Sequence, residues 1–194
     1  MSATGTTGVD GEQPVPSVTG RRIARENRYF RTVEEDLPDR HGQPYTYHFC
    51  ESLWDAVLVI PLLDDRRLIV ERIYRHPYHA WMWEFPAGGI ETGEAPLHAA
   101  ARELEEETGW RPNRLDDLGP IEAIPGLVRM RLHLVLARDL THVGGISHEA
   151  MEHIQVAQMT IDEAWAAAAS TTEPVSAFLA LGLGRLERWR NKCS

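Results

Sequence analysis

The stretch Gly88-Gly-Ile-Glu-Thr-Gly-Glu-Ala-Pro-Leu-His-Ala-Ala-Ala-Arg-Glu-Leu-Glu-Glu-Glu-Thr-Gly-Trp110 carries six carboxylates between Glu91 and Glu107. Its second half predicts a helix from about Ala95 to Thr108: Pro96 suits a first turn, Gly109 supplies a left-handed stop, and Pro112 behind it prevents resumption. Leu97, Ala100, Ala101, Leu104 and Thr108 recur at helical spacing as an apolar stripe, which leaves the carboxylates on a separate face. Glu103, Glu106 and Glu107 then project together at offsets of three and four, where like charges repel unless a cation lies between them. A divalent-metal site is the expectation. The competing reading is a solvated acidic face stabilised by pairs such as Arg102 with Glu106, and Glu105 is read as surface charge of that kind.

Outward from this helix the chain reads as strands with interspersed helices. Residues 1–18 are rich in Gly, Ser, Thr and Pro and predict a disordered tail. Residues 19–50 mix aromatics and charges around the turn signal Asp36-Leu-Pro-Asp-Arg-His-Gly-Gln-Pro44, which predicts a small β-meander. The main domain is expected over 51–194. Within it, Ala56 to Leu63, the turn residues Asp64-Asp65 and Arg67 to Tyr74 predict a hairpin with a buried first strand. Trp81 to Phe85, Gly119 to Ile124, Arg131 to Ala137 and Ile154 to Thr160 read as further strands, with a polar loop over Thr141 to Glu152. Two helices close the chain, Asp162 to Ala169 with Asp162 as N-cap, and Val175 to about Arg190. The fold class that follows is a mixed α/β or α+β sandwich.

Composition narrows the functions. Over 194 residues, 43% hydrophobic and 25% charged, one globular domain is expected. A net charge of -9 argues against a broad nucleic-acid-binding surface and gives no support to binding of an anionic membrane. The longest apolar run, Ala56 to Leu63, is far short of the ~20 residues of a spanning helix. With no signal-peptide pattern at the N-terminus, a cytoplasmic location is the default. Cys50 and Cys193 form no disulfide framework and no metal-ligand spacing, and both are expected to be reduced and structural.

Written as a pattern, the acidic segment is Gly88, five residues, Glu94, seven residues, Arg102-Glu103-Leu104, one residue, Glu106-Glu107, one residue, Gly109-Trp110. This resembles the signature of the Nudix hydrolases at every fixed position. The resemblance implies the Nudix α/β/α sandwich with a mixed sheet and hydrolysis of a diphosphate bond, with magnesium, or alternatively manganese, as the ion. Hard cations of this kind take oxygen ligands, relieve the charge of the phosphate oxygens and acidify water. Glu103, Glu106 and Glu107 supply such ligands, with Glu106 also a candidate catalytic residue. Gly88 and Gly89 let the backbone bend close, so that the carbonyl of Ala87 is a further ligand. Glu94 and Arg102 are read as orienting groups that hold the loop against the helix, and Gly109 as its structural stop.

The likeness extends over roughly residues 54 to 185. Trp83-Glu-Phe-Pro-Ala-Gly-Gly89 resembles the run that precedes the signature in ADP-ribose pyrophosphatases, and Tyr74-Arg75 resembles the end of their Gln-Tyr-Arg run. Pro125, fifteen residues after Trp110, is similar to a proline that marks the same group. The resemblance therefore implies a small nucleotide-sugar substrate, ADP-ribose first, with Arg75, Glu84 and Gly88 near it. It also implies a further glutamate from the loop before the last strand as base or metal ligand. Glu149 and Glu152 are both candidates, with Glu152 the closer match. Ile73 replaces the glutamine of the Gln-Tyr-Arg run, and Leu127-Val-Arg-Met130 stands where the group commonly carries an acid, so Arg129 is a candidate contact to a different leaving group. Dinucleoside polyphosphates and nucleoside triphosphates remain alternative substrates, and a non-catalytic ADP-ribose sensor is the alternative of another class. The same resemblance implies that the meander pairs two copies into a homodimer, with Tyr29, Phe30, Tyr45, Tyr47 and Trp54 available to stack on a base. Trp81, Met82 and Trp83 are read as core or as a pocket wall. His148 and His153 are read as polar loop residues rather than a zinc site.

Overall fold

The computed structural model describes residues 15–148 and 150–193. Most of the expected N-terminal tail therefore lies outside the described residues. In chain order the described elements are β1 (Gly20–Glu26), β2 (Phe30–Pro38), β3 (Pro44–Ser52), β4 (Ala56–Pro61), β5 (Arg67–Arg75), β6 (Ala80–Glu84), β7 (Ala87–Gly89), α1 (Pro96–Thr108), β8 (Trp110–Glu122), β9 (Val128–Arg129), β10 (Arg131–His142), β11 (Ile154–Thr160), α2 (Ile161–Ala168) and α3 (Ala177–Cys193). They form three sheets, in the orders β1-β2-β3-β9, β7-β4-β10-β8 and β11-β5-β6. The first contains the N-terminal meander, closed by the short parallel strand β9.

Alternation along two strands builds the sandwich. In β4, Val57 and Val59 face α1, where they meet Ala99, Ala100 and Leu104; Leu58 and Ile60 face the other way, toward Leu179, Leu183 and Leu186 of α3. Parallel to it, β10 repeats the division, with Val135 and Ala137 on the α1 side and Leu132, Leu134 and Leu136 on the α3 side. Two apolar faces with opposite phase require a helical layer on each, because a strand buried on both sides must be covered on both. The third sheet adds Leu68 and Val70 to the α3-side core. The fold is thus a mixed α+β sandwich with α1 alone on one layer.

Several elements differ from their sequence reading. The expected hairpin does not form as such: β4 and β5 share a single bridge, Leu62 with Leu68, and then enter different sheets. The turn itself is present, with the Asp64 carboxylate accepting from the backbone N–H groups of Arg66 at 3.0 Å and Arg67 at 2.8 Å. A strand apolar on both faces is better served between β10 and β7 than against β5. Pro112 lies inside β8, which begins at Trp110 rather than Gly119; β8 pairs only with β10, and an edge strand tolerates proline. Helix α2 is capped by Thr160, not Asp162. The Thr160 hydroxyl accepts from Glu163 N–H at 3.1 Å while Glu163 accepts from Thr160 N–H at 2.8 Å, a reciprocal capping box. In α1 the buried set is Ala99, Ala100, Leu104, Glu107 and Thr108, so one carboxylate joins the core-facing side. Met82 is buried and Trp83 packs on the α3-side core, so these two of the three residues Trp81, Met82 and Trp83 serve the interior.

Helix α3 reaches β4 and Phe85 closely because Gly182 has no side chain: an added Cβ would lie 2.5 Å from Phe85 Cδ2 and 3.3 Å from Ile60 Cγ1. Gly182→Ala should therefore destabilise the protein by about 1–2 kcal/mol, since overpacking of about 1–3 kcal/mol exceeds the gain in helix propensity of about 1 kcal/mol. Urea unfolding measures it.

Candidate active site

Arg102 joins the loop after β7 to helix α1. Its Nε and Nη2 donate to the two carboxylate oxygens of Glu94 at 3.0 and 2.9 Å, and Nη2 also donates to the Gly89 carbonyl at 2.9 Å. Nη1 donates to Glu103 at 2.7 Å and to Glu106 at 3.1 Å. Glu94 in turn accepts from Glu91 N–H at 3.0 Å, so the loop is fastened through one bidentate ion pair. The guanidinium holds the Glu94 carboxyl below the usual carboxylate range. Gly88 is needed for contact rather than for a turn: a Cβ there would overlap the Glu103 carboxyl group.

Charge accumulates behind this clasp. Glu107 is only 4% exposed and accepts from Ala87 N–H at 3.0 Å. Burial first, then the neighbouring Glu71 and Glu103 carboxylates, push its pKa well upward. Glu103 is raised too, by burial and by Glu106 and Glu152, against the pull of Arg102. Glu106 remains about half open to solvent, 46% for its side chain.

The third sheet brings further buried charge near these carboxylates. Glu84, 3% exposed, accepts from Arg75 Nε at 2.9 Å and Nη2 at 2.8 Å, a fork-to-fork pair. Directly across the ladder from Glu84 stands Glu71, 1% exposed. Sequence reasoning missed Glu71. The signal was available: it is the one acid in the run Leu68-Ile-Val-Glu-Arg-Ile73, which is apolar apart from it and Arg72. Burial raises its pKa, Arg75 opposes, and Glu152, Glu84 and Glu103 add to the rise.

The loop between β10 and β11 closes the site by satisfying the C-terminus of α1. Val143 and Gly144 N–H donate to the Gly109 carbonyl at 2.9 and 3.2 Å, and Ser147 N–H donates to the Glu106 carbonyl at 2.8 Å. His148 Nε2 lies 2.9 Å from the Glu107 carbonyl; a carbonyl only accepts, so Nε2 carries the proton. The histidine is a helix-end partner. Gly109 takes the expected left-handed conformation at φ 72°. Orphan carbonyls at a helix end need such donors, and here they draw the loop in until Glu152 faces Glu103 and Glu107. The alternative acid, Glu149, lies outside the described residues.

Glu103, Glu106, Glu107 and Glu152 line a cavity of about 540 Å³ together with Gly88, Gly89, Arg102, Ser147, Leu53, Trp54 and Tyr29. Of the aromatics considered for base stacking, Tyr29 and Trp54 are brought here, ring centroids 6.2 Å apart and edge to face. Tyr47 instead donates to the Gly126 carbonyl at 2.7 Å beside a second cavity. Arg129 borders that second cavity too, paired with Glu51 at 2.9 Å and lying over Phe49. The structure does not bring it to the signature carboxylates.

Comparison with known proteins agrees with this geometry. The Nudix domain family matches residues 53–178, and the chain belongs to the Nudix hydrolases. Within that family it resembles the ADP-ribose pyrophosphatase group. A CMP-5'-(N-acetyl-N-hydroxy-3-aminopropyl)phosphonate hydrolase of Streptomyces rubellomurinus (strain ATCC 31215) is 32% identical over 147 residues, covering 75% of this chain and 69% of that one. An ADP-ribose pyrophosphatase of Bacillus subtilis (strain 168) is 32% identical over 110 residues, 56% of this chain and 60% of that one. The chain thus spans about three fifths of the B. subtilis relative and about two thirds of the Streptomyces one. A crystal structure of an ADP compounds hydrolase superposes with a TM-score of 0.81 over 95% of this chain and 98% of that one at 22% identity, a likeness of fold. No helix among the described residues is long and apolar enough to cross a membrane.

The donors fit a hard divalent cation: they are carboxylate oxygens, and burial first, then the neighbouring carboxylates, raises the pKa of Glu103, Glu107 and the adjacent Glu71. As placed, no three of the described acids converge on one point, because Glu103 turns to Arg102 and Glu107 to Ala87 N–H. Holding an ion takes a rotation of these side chains. Because the folded chain binds protons at Glu71 and Glu107 more tightly than the unfolded chain, their contribution to stability is complete below the unfolded carboxyl value of about 4.3 and is lost as pH rises through the raised folded values. The metal-free protein should show a thermal midpoint that falls as pH climbs from about 5 into the alkaline range. Excess magnesium should restore it increasingly at higher pH, since the ion replaces the protons. A midpoint flat with pH in both conditions would contradict this electrostatic account.

Proposed function

We propose that the protein hydrolyses the diphosphate bond of ADP-ribose or a related nucleoside diphosphate sugar, releasing a nucleoside monophosphate and a sugar phosphate, with magnesium or manganese as the ion. The observation that carries this reading is a single cavity lined by two unlike sets of side chains, the acids Glu103, Glu106, Glu107 and Glu152 and the aromatics Tyr29 and Trp54. The acids suit ion-bound phosphates and the aromatics suit a flat base. The volume lies inside the ~300–1,000 Å³ of small-molecule sites.

Glu103, Glu106, Glu107 and Glu152, with the carbonyl of Ala87, would hold the divalent ions, which bring positive charge to the diphosphate oxygens and acidify water. Glu152, or Glu149 in its place, accepts the proton of the attacking water. Arg75, gripped by Glu84 through Nε and Nη2, retains Nη1 for a phosphate oxygen. Arg102 keeps the loop closed on the helix so that Gly88 backs directly onto Glu103. Residues 19–50 form the surface through which two copies pair, consistent with the solvent-exposed Ile23, Phe30 and Tyr45. A second reading, favoured by the Streptomyces relative that shares the greater part of this chain, is a CMP-phosphonate conjugate as substrate.

A panel of nucleoside diphosphate sugars, CMP conjugates, dinucleoside polyphosphates and nucleoside triphosphates with magnesium separates these. ADP-ribose should rank first and yield AMP and ribose 5-phosphate; preference for a CMP conjugate would establish the second reading instead. Glu107→Gln should lower kcat roughly 100-fold or more while leaving the metal-free thermal midpoint at or above wild type, because the burial that opposes the Glu107 charge no longer acts.

A further inference from the structure

Glu71 lies outside the Gly88–Trp110 signature, on a sheet that α1 does not belong to. It is nonetheless among the most enclosed polar groups of the described chain, at 1% exposure. Its Oε1 has no hydrogen-bond partner among the described residues. Around it stand Glu84, opposite in register on β6, then Glu107 and Glu103 from α1, and Glu152 from the closing loop. The nearest positive group, Arg75, already meets Glu84 through both Nε and Nη2. The neighbouring positions on the same face of β5, Ile69 and Ile73, are apolar and buried. Packing alone would place a third branched apolar residue between them. An enclosed carboxylate with an unpaired oxygen weakens a fold unless something else completes it, and like charges across a strand pair add to that weakness.

We propose that Glu71 is an additional ligand of the divalent-cation site, offering its Oε1 from the strand floor beside Glu107. The proposal rests on the reading of the signature carboxylates as a cation site. In that arrangement α1 supplies Glu103 and Glu107, the closing loop supplies Glu152, and β5 supplies a donor from a third direction. Hard divalent ions take six or more oxygens, so a donor from below fills a direction that one helix face cannot reach. Bound directly or through one water, the ion would tie the third sheet to α1 and satisfy the oxygen that no protein group satisfies. The competing occupant is a proton, which would make Glu71 a neutral structural residue.

Manganese binding to the full chain without substrate distinguishes the two. Free ion is followed by electron paramagnetic resonance and heat by titration calorimetry, for the wild type, Glu71→Gln, Glu71→Leu and Glu107→Gln. Glu71→Gln and Glu71→Leu should each weaken manganese binding about tenfold or more, or remove one bound ion. Their metal-free thermal midpoints should equal or exceed that of the wild type, which separates loss of a ligand from loss of the fold. The leucine variant keeps the assay decisive where a buried, unpaired amide prevents folding. Unchanged manganese affinity and stoichiometry in both Glu71 variants, alongside weakened binding in Glu107→Gln, overturns the role of Glu71 and leaves the hydrolase reading standing. Unchanged binding in all three overturns the cation site itself.

Discussion

The structure turns on negative charge withdrawn from water without enough positive charge to match it. Glu71, Glu84 and Glu107 are all below 5% exposure, and Glu103 stands beside them. Two guanidiniums approach from opposite sides, Arg102 over the loop and Arg75 over the third sheet, and each is already engaged. Arg75 is taken by Glu84, and Arg102 divides itself among Glu94, Glu103 and Glu106. What is left over favours proton binding in the bare chain and suits divalent cations. A buried carboxylate weakens a fold unless compensated, so such a cluster is explicable as a device for binding ions and is hard to justify as packing.

Each surrounding element can be understood as holding that charge in place. The β4 and β10 alternation fixes α1 against the central sheet, and this fixes which face of α1 meets β7 and the loop. Gly88 brings the loop backbone onto Glu103, closer than any side chain would permit. At the other end of α1, unsatisfied carbonyls recruit Val143, Gly144, Ser147 and His148, and so carry Glu152 to the site. The same helix thus presents acids from its side and gathers another through its terminus. Tyr29 and Trp54, in the turns after β1 and β3, add aromatic surface to a cavity that four acids also line.

Much of this was legible along the chain because it is local. A helix stop at Gly109, the clasp of Arg102 with Glu94, and the shared side of Glu103 and Glu106 follow from spacing within about two dozen residues. Resemblance to the Nudix hydrolases carried the same stretch to a family and to a reaction. Elsewhere local reading went astray where partners are remote in sequence. Asp64 marks its turn correctly, yet the strands on either side of it join different sheets, because β4 needs cover on both faces. Position is likewise set by remote partners for Arg129, a candidate substrate contact, which Glu51 and Phe49 meet at a second cavity.

By itself, then, the sequence determined the helix, its acidic face and the chemistry that face can support, since period, cap and charge are set by neighbours three, four and eight residues apart. Only the tertiary structure decided which acids lose contact with water. Glu107 was assigned to the polar face and is buried, while Glu71, on β5, is buried within electrostatic reach of Glu103 and Glu152. The reason is physical: a side chain's charge is written in its own residue, but its desolvation and its charged neighbours are contributed by β5, β6, α1 and the closing loop together.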